Sequence, residues 1–292
     1  MNRQSLTHPG VDPTCKLCSG TAIQVGRNDA YAAATLCRCC SICPHCKDTG
    51  WVRSVQGDRS SPLNRCTCQL FLKRLELFGL AQVPARLGHC TFLSFRLADR
   101  STPGQRDAFT TAMTIASQFR PGDVNRGLVL HGDVGRGKTH LLVSMIYELT
   151  IRHGVRTRFV EFSHLLARLK GRFDRGEGAA SILDKLVNVE VLAIDELGKG
   201  MMTQWELTVI DELISRRYNA ARTVLATSNY EPGAARGQDR PNLATAHDRR
   251  KIVSPTLADR VGDRVHSRLE EMCEFRHMGG SDHRLNAKWK RR

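Results

Sequence analysis

Gly127-Leu128-Val129-Leu130-His131-Gly132-Asp133-Val134-Gly135-Arg136-Gly137-Lys138-Thr139 is the stretch whose reading decides the fold. Its first five residues are a short apolar run suited to a buried strand. The next eight satisfy G-x-x-x-x-G-K-[ST] in full, and an apolar helical stretch, His140 to Leu149, follows. Strand, glycine loop, helix is the context a phosphate-binding loop requires. Glycines let backbone N–H groups turn toward anionic oxygens, and the helix N-terminus adds its partial positive charge. Gly132, Asp133, Val134, Gly135, Arg136 and Gly137 are therefore expected to cradle the phosphates of ATP. Lys138 is expected to reach the β- and γ-phosphates, and Thr139 to hold Mg²⁺.

A second motif stands downstream. Val189-Glu190-Val191-Leu192-Ala193-Ile194-Asp195-Glu196 is a hydrophobic strand ending in two carboxylates. An isolated Asp-Glu pair is usually a solvated helix start; the strand before it and the glycine loop upstream reverse that reading. Asp195 is expected to bind Mg²⁺ directly or through water, and Glu196 to orient and deprotonate the attacking water. A third strand, Thr223 to Thr227, ends in Ser228-Asn229. A polar residue there faces the ligand crevice of an open α/β sheet, so Asn229 is expected to hold the lytic water opposite Glu196. Thr157–Phe162 and Met272–Met278 are further strand candidates. Strands alternating with helical stretches predict a parallel, three-layer α/β/α sheet.

The 292 residues allow one medium domain plus a small one, and 41% hydrophobic content allows a sizeable core. The formal charge of +15 points to a polyanionic partner, nucleic acid foremost, with plain solubility as the alternative. No apolar run approaches the roughly 18 residues of a membrane span, and the first thirty residues contain no apolar leader. A cytoplasmic, reducing compartment is the expectation.

In such a compartment the 11 cysteines read as metal ligands rather than disulfides. All but Cys90 and Cys273 fall between Cys15 and Cys68, and they form a repeat. Cys15, Cys18, Cys37 and Cys39 are followed by Cys43, Cys46, Cys66 and Cys68 at offsets of 28, 28, 29 and 29 residues. Thr21 and Thr49 occupy equivalent places, three residues after Cys18 and Cys46. Each copy supplies a CxxC and a CxC, a four-thiolate set of the kind that holds structural Zn²⁺, so two ions are expected. Cys40 is left over and can replace Cys39, because Cys37-x-x-Cys40 is also a knuckle spacing. An iron–sulfur cluster is the alternative occupant. Beyond Cys68, apolar residues at 71, 75 and 78 predict a short connecting helix over 69–78, stopped by Gly79. The boundaries expected are 1–70 for the cysteine-rich module, 71–84 for the connecting helix and linker, and 85–292 for the ATPase domain.

From about Val83 onward, roughly 200 of the 292 residues, the chain resembles the AAA+ ATPases that include DnaC- and DnaI-type helicase loaders and IstB-type transposition helpers. The resemblance rests on the two motifs above, on Ile194-Asp195-Glu196-Leu197-Gly198, on Asp211 to Tyr218 (DELISRRY), on Ala226-Thr227-Ser228-Asn229-Tyr230, and on Leu257 to Leu269 (LADRVGDRVHSRL). It implies an arginine finger at Arg268, with Arg264 as runner-up, acting on a neighbouring subunit's ATP and so requiring self-association through the ATP site. It implies a second sensor at Asp282-His283-Arg284, with Arg284 touching the γ-phosphate. Val83 to Phe95 resembles the segment that helps wall the adenine pocket. In loaders of this kind a helical insertion after the second strand faces single-stranded DNA. Ser163 to Gly178 takes that place, with Arg168, Lys170, Arg172 and Arg175 among its residues. The implied function is a replicative ring-helicase loader that binds single-stranded DNA. The alternatives are an IstB-like ATPase assisting a transposase, and a binding module whose P-loop only senses nucleotide.

Overall fold

Apolar side chains alternate between two faces along the central strands, and that alternation builds the architecture. The computed structural model describes residues 7–40, 42–54, 60–97, 102–176, 178, 180–233 and 255–280. At the front, β1 (Ile23–Asn28) and β2 (Tyr31–Leu36) form an antiparallel hairpin, and β3 (Trp51–Arg53) pairs with β4 (Leu63–Arg65). Then follow α1 (Thr67–Leu80), a 3-10 turn (Ala85–Leu87) and α2 (Pro103–Gln118). The remainder runs β5 (Gly127–His131), α3 (Lys138–Tyr147), a π-helical turn (Glu148–His153), β6 (Thr157–Glu161), α4 (Phe162–Phe173), α5 (Ala180–Asn188) and β7 (Val191–Asp195). It ends with α6 (Gln204–Asn219), β8 (Thr223–Ser228), α7 (Leu257–Val261), α8 (Asp263–Met272) and β9 (Cys273–His277).

The five strands β5 to β9 form one parallel sheet in the order β6-β7-β8-β5-β9. Every residue of β5, β7 and β8 is buried, as expected for parallel strands covered on both faces. Leu128, Leu130, Val191, Ala193 and Leu225 point into one apolar layer, shared with α2 and α3. Val129, Leu192, Ile194, Val224 and Ala226 point into the other, shared with α4 to α8. Each fully buried Val, Leu or Ile contributes roughly 1.5–3 kcal/mol, so the two layers carry most of the folding free energy.

Three elements differ from the sequence expectation. The connecting helix starts two residues early, at Thr67, and passes Gly79 to end at Leu80; the Ala81 N–H then closes the end on Leu77 and Phe78 carbonyls. It is more than a connector. Phe71, Leu75 and Phe78 join Ala22, just before β1, and Ala32 and Ala34 of β2 to Ile146 of α3 and Leu149 of the π-helical turn in one apolar cluster. The helix after the glycine loop begins at Lys138 itself and passes into the π-helical turn at Glu148. Met272 ends α8 and Met278 lies beyond β9, so the last strand is shorter than expected.

Arg217 of α6 fastens the second layer. Its side chain is fully buried. Nη1 donates to the carbonyls of Leu186, Val187 and Val189 at 2.6, 3.1 and 2.9 Å. Nη2 donates to those of Glu190 and Thr223 at 3.2 and 2.6 Å. One cation thus covers the otherwise unpaired carbonyls at the end of α5 and ties the starts of β7 and β8 together.

Candidate functional site

The glycine loop joins the end of β5 to the start of α3 at the carboxyl edge of the sheet. Its backbone passes through positive φ at Gly132, Gly135 and Gly137 (125°, 81° and 96°), conformations that side-chain-bearing residues rarely adopt. A Cβ on Gly137 would also stand 2.8 Å from the ring of Phe95. Phe95 stacks on Phe109 with 5.5 Å between centroids and meets His140 edge-on at 5.2 Å. His140 Nε2 lies 3.1 Å from the Thr91 carbonyl and 3.2 Å from Ser94 Oγ. The segment ending at Phe95 therefore packs directly on the loop and on the first turn of α3. Lys138 is buried, and its ammonium donates to the carbonyls of Gly132 and Asp133, both at 2.7 Å. Arg136 pairs with Asp133 at 3.1 Å, and Val134 is exposed.

The two motifs meet at an oxygen cluster. Thr139 Oγ1 donates to Asp195 Oδ1 at 2.9 Å, and Thr227 Oγ1 donates to the same oxygen at 2.6 Å. Burial raises the Asp195 carboxyl above the usual carboxylate range; the two threonine hydroxyls work against that rise, and Glu196 and Glu161 add to it. A buried carboxylate beside a hydroxyl on the first turn of the loop helix is a hard-oxygen set suited to Mg²⁺.

Thr227 was not singled out from the sequence, yet it organises the second motif. Its hydroxyl also accepts from the Glu196 N–H at 2.9 Å. Its carbonyl accepts from Leu197 N–H at 2.7 Å, and Ser228 Oγ donates to the Leu197 carbonyl at 3.0 Å. These bonds hold Glu196 at φ +57°, a left-handed conformation that costs a non-glycine residue free energy. The signal available was position: Thr227 is the penultimate residue of β8, the strand next to β7, level with the carboxylates. Asn229, the residue the sequence favoured, is exposed just beyond β8. The Glu196 carboxylate pairs with Lys199 at 2.5 Å, and this contact holds the Lys199 ammonium more strongly protonated than usual.

The finger candidates lie on α8, where both pair with Asp211 of α6. Arg268 is largely covered: Nη1 donates to Asp211 Oδ1 at 3.0 Å and to Ser215 Oγ, and the guanidinium lies over Tyr218. Arg264 is the more exposed, its side chain 72% accessible, with Nη1 3.5 Å from Asp211 Oδ2. Arg284 lies outside the described residues.

The basic stretch after β6 is α4, and its charges divide between two faces. Arg168 and Arg172 border one cleft, together with Arg158 of β6. Lys170 borders another of about 470 Å³, beside Phe173, Lys199, Met201 and Trp205. Arg175 lies beyond the helix and is exposed.

The cysteines assemble into the two expected quartets. Cys15, Cys18, Cys37 and Cys39 bring their sulfurs within 4.8 Å of one another, as do Cys43, Cys46, Cys66 and Cys68. The S···S separations of 3.9 and 3.6 Å in the first and 3.7 and 3.5 Å in the second are too long for disulfides. They match the ~3.8 Å edge of a tetrahedron whose four sulfurs stand ~2.3 Å from one ion, the Zn–S distance. Cys39 fills the fourth corner of the first quartet, and Cys40 is outside it. The backbones repeat as well. Ser19 and Lys47 share φ near 50°, and Gly20 and Asp48, then Ala22 and Gly50, are likewise left-handed. The Thr21 and Thr49 hydroxyls donate to the Cys18 and Cys46 carbonyls at 2.6 and 2.7 Å. The paired threonines thus close equivalent knuckles.

Comparison with known proteins agrees with this geometry. The IstB-like ATP binding protein family matches residues 116–249. The chain is 26% identical to the replicative helicase loader DnaC of Escherichia coli (strain K12) over 184 residues, 62% of this chain and 72% of that protein. The crystal structure of the DnaC helicase loader aligns with a TM-score of 0.54 and 27% identity, covering 66% of this chain and 99% of that one. The crystal structure of DnaI shares the fold, with a TM-score of 0.51 at 21% identity over 68% of this chain and 93% of that one. Among the described residues no helix is long and apolar enough to cross a membrane. Residues 116–249 thus match the IstB-like ATP binding protein family, and the chain is similar in sequence and fold to the DnaC helicase loader and shares the fold of DnaI.

Proposed function

We propose that this protein is a cytoplasmic ATPase that loads a replicative ring helicase onto single-stranded DNA. The observation that carries the reading is its likeness to the DnaC helicase loader along 99% of that structure, with the glycine loop and the Asp195 cluster both present. Lys138 and the loop N–H groups hold the β- and γ-phosphates of ATP. Thr139 and Asp195 would hold Mg²⁺, which neutralises phosphate charge when bound. Glu196, released from Lys199, accepts the proton of the attacking water, and Asn229 orients that water. Arg268 or Arg264 reaches the ATP of a neighbouring subunit, so that hydrolysis depends on assembly. Arg284 would serve as the second sensor. Each cysteine quartet would hold one Zn²⁺ and so staple the front module; a site closed by four thiolates is structural rather than catalytic.

Lys170, Lys199, Phe173 and Trp205 support the DNA contact. Lysines that follow phosphates and rings that stack on bases make a sequence-tolerant single-strand platform. A second reading, an ATPase that assists a transposase, is favoured by the IstB-like family match. For the ATPase itself, Glu196→Gln should keep ATP bound while abolishing turnover, and Lys138→Ala should lose binding. Turnover by Glu196→Gln at the parent rate would remove Glu196 from the role of base.

A further inference from the structure

Arg260, Arg264 and Arg268 follow one another at four-residue spacing and read from the sequence as one basic helix face. The structure divides them. Gly262, at φ +86°, separates α7 from α8, and Arg264 and Arg268 turn to Asp211. Arg260 is half-buried and turns instead to the segment that follows β7. Its Nε donates to the Gly198 carbonyl at 2.8 Å, and Nη2 donates to the Gly200 carbonyl. Its guanidinium lies over the ring of Tyr230, 5.0 Å from the centroid. The first turn of α7 meanwhile docks on the segment beyond Asn229. Leu257 N–H donates to the Glu231 carbonyl at 2.7 Å, and Ala258 N–H to that of Pro232 at 3.1 Å. Helix α7 thus grips the chain just beyond both catalytic strands, and α8 with the finger candidates follows it directly.

We infer, on the reading of Glu196 as the general base, that Arg260 is a positioning residue for ATP hydrolysis. It locks the turn that bears Glu196 to the helix leading to the finger candidates. The Glu196 carbonyl accepts from Lys199 N–H at 3.1 Å, so residues 196–199 form a tight turn, with Gly198 at φ +87°. Thr227 and Ser228 hold this turn from β8, and Arg260 holds it from α7. The fit is close: a Cβ on Gly198 would stand 3.1 Å from Arg260 Cβ and 3.2 Å from Leu257. A guanidinium presents its donors as a rigid planar fork, so two carbonyls two residues apart fix both the place and the tilt of the turn. The left-handed backbone of Glu196 persists only where its surroundings over-determine it, and Arg260 supplies part of that constraint. A base acts only within hydrogen-bond reach of the proton it takes, and a misplacement of about 1 Å can cost about 10²-fold in rate. ATP binding depends on other groups, the glycine loop and Lys138. Loss of Arg260 should therefore appear in kcat and not in affinity.

The test measures steady-state ATP hydrolysis by the full-length protein and its binding of a fluorescent ATP analogue. Arg260→Ala should lower kcat by about 10- to 100-fold and leave nucleotide affinity within about twofold of the parent. Arg260→Lys can meet one carbonyl but not both; its kcat should fall between, and it carries the test should the Ala variant misfold. Arg74→Ala is the control for general loosening. That guanidinium likewise donates to two carbonyls, those of Ile151 and Arg152 at 3.0 and 2.5 Å. Its loss should lower the thermal unfolding midpoint and leave kcat near the parent value. Glu196→Gln, assayed alongside, separates the two readings. Hydrolysis by Glu196→Gln at the parent rate removes the base, and the role of Arg260 falls with it. An inactive Glu196→Gln beside parent kcat in both Arg260 variants overturns the positioning role alone. That role is also overturned if the Arg260 variants lose affinity as much as kcat, or if Arg74→Ala lowers kcat equally.

Discussion

Thr227→Val removes one hydroxyl and nothing else of substance, because the two side chains are nearly isosteric. In the folded chain that hydroxyl donates to the ionisable Asp195 at 2.6 Å and accepts from the Glu196 N–H at 2.9 Å. Both Thr227 and Asp195 are buried, at 1% and 5% exposure, so water does not readily replace either bond. A hydrogen bond to a charged group is worth about 1.5–3 kcal/mol, and an orphaned buried N–H costs about 1–3 kcal/mol. The two losses share one neighbourhood and do not add fully, and Thr139 still donates to Asp195. The expected destabilisation is therefore about 2–4 kcal/mol near neutral pH. Thr227→Ser keeps the hydroxyl and should cost only about 1 kcal/mol for the lost methyl.

The pH dependence follows from Asp195. Its folded carboxyl already binds its proton at higher pH than the unfolded one, because burial outweighs the two hydroxyl bonds. The folded state thus holds more protons in the window between the two values, and stability falls as pH rises through it. Losing Thr227 raises the folded value further and extends the window upward. The Val-minus-Ser difference should accordingly be largest at neutral pH and shrink below the ordinary Asp value of about 4. The assay is urea unfolding at both pH values, comparing midpoints at constant slope. A Val variant within about 0.5 kcal/mol of the Ser variant at neutral pH would refute the assignment of Thr227 as the residue that holds the Asp195–Glu196 turn.

Metal analysis of the purified protein should give two zinc ions, and Cys46→Ser should give one; a parent with one ion or none contradicts the two-quartet account, and iron with visible absorbance would put a cluster in the thiolate cages. Mixing Arg268→Ala with Lys138→Ala protein should restore part of the ATPase activity, because some interfaces then join an intact pocket to an intact arginine. No recovery at concentrations where the proteins associate would exclude a trans role for Arg268, and the same mixture with Arg264→Ala tests the exposed alternative.

Five strands were legible because each apolar run was short and punctuated, and because the glycine loop and the paired carboxylates fixed their order of use. The cysteine quartets were legible because a metal site imposes spacing, and the paired threonines marked the same repeat. Sequence left other features open for physical reasons. Thr227 is one hydroxyl within an apolar strand, and only the neighbouring strand gives it partners. Arg217 reads as one of several basic residues of a helix, since its five carbonyl acceptors come from other segments. The charges of α4 read as one basic patch, and the two faces of the helix separate only once β6 and α6 are packed beside it. Cys39 rather than Cys40 at the fourth corner depends on a backbone conformation that spacing alone does not specify.

The central claim is loading, and it is tested most directly on closed circular single-stranded DNA with the replicative ring helicase of the same organism. The purified protein and ATP are added, and helicase retained on the circles after a high-salt wash is measured. The account predicts retained helicase that depends on this protein and on ATP, and that is lost with Lys138→Ala. Helicase retained equally without the protein, or no retention although ATP and DNA both bind, would contradict it.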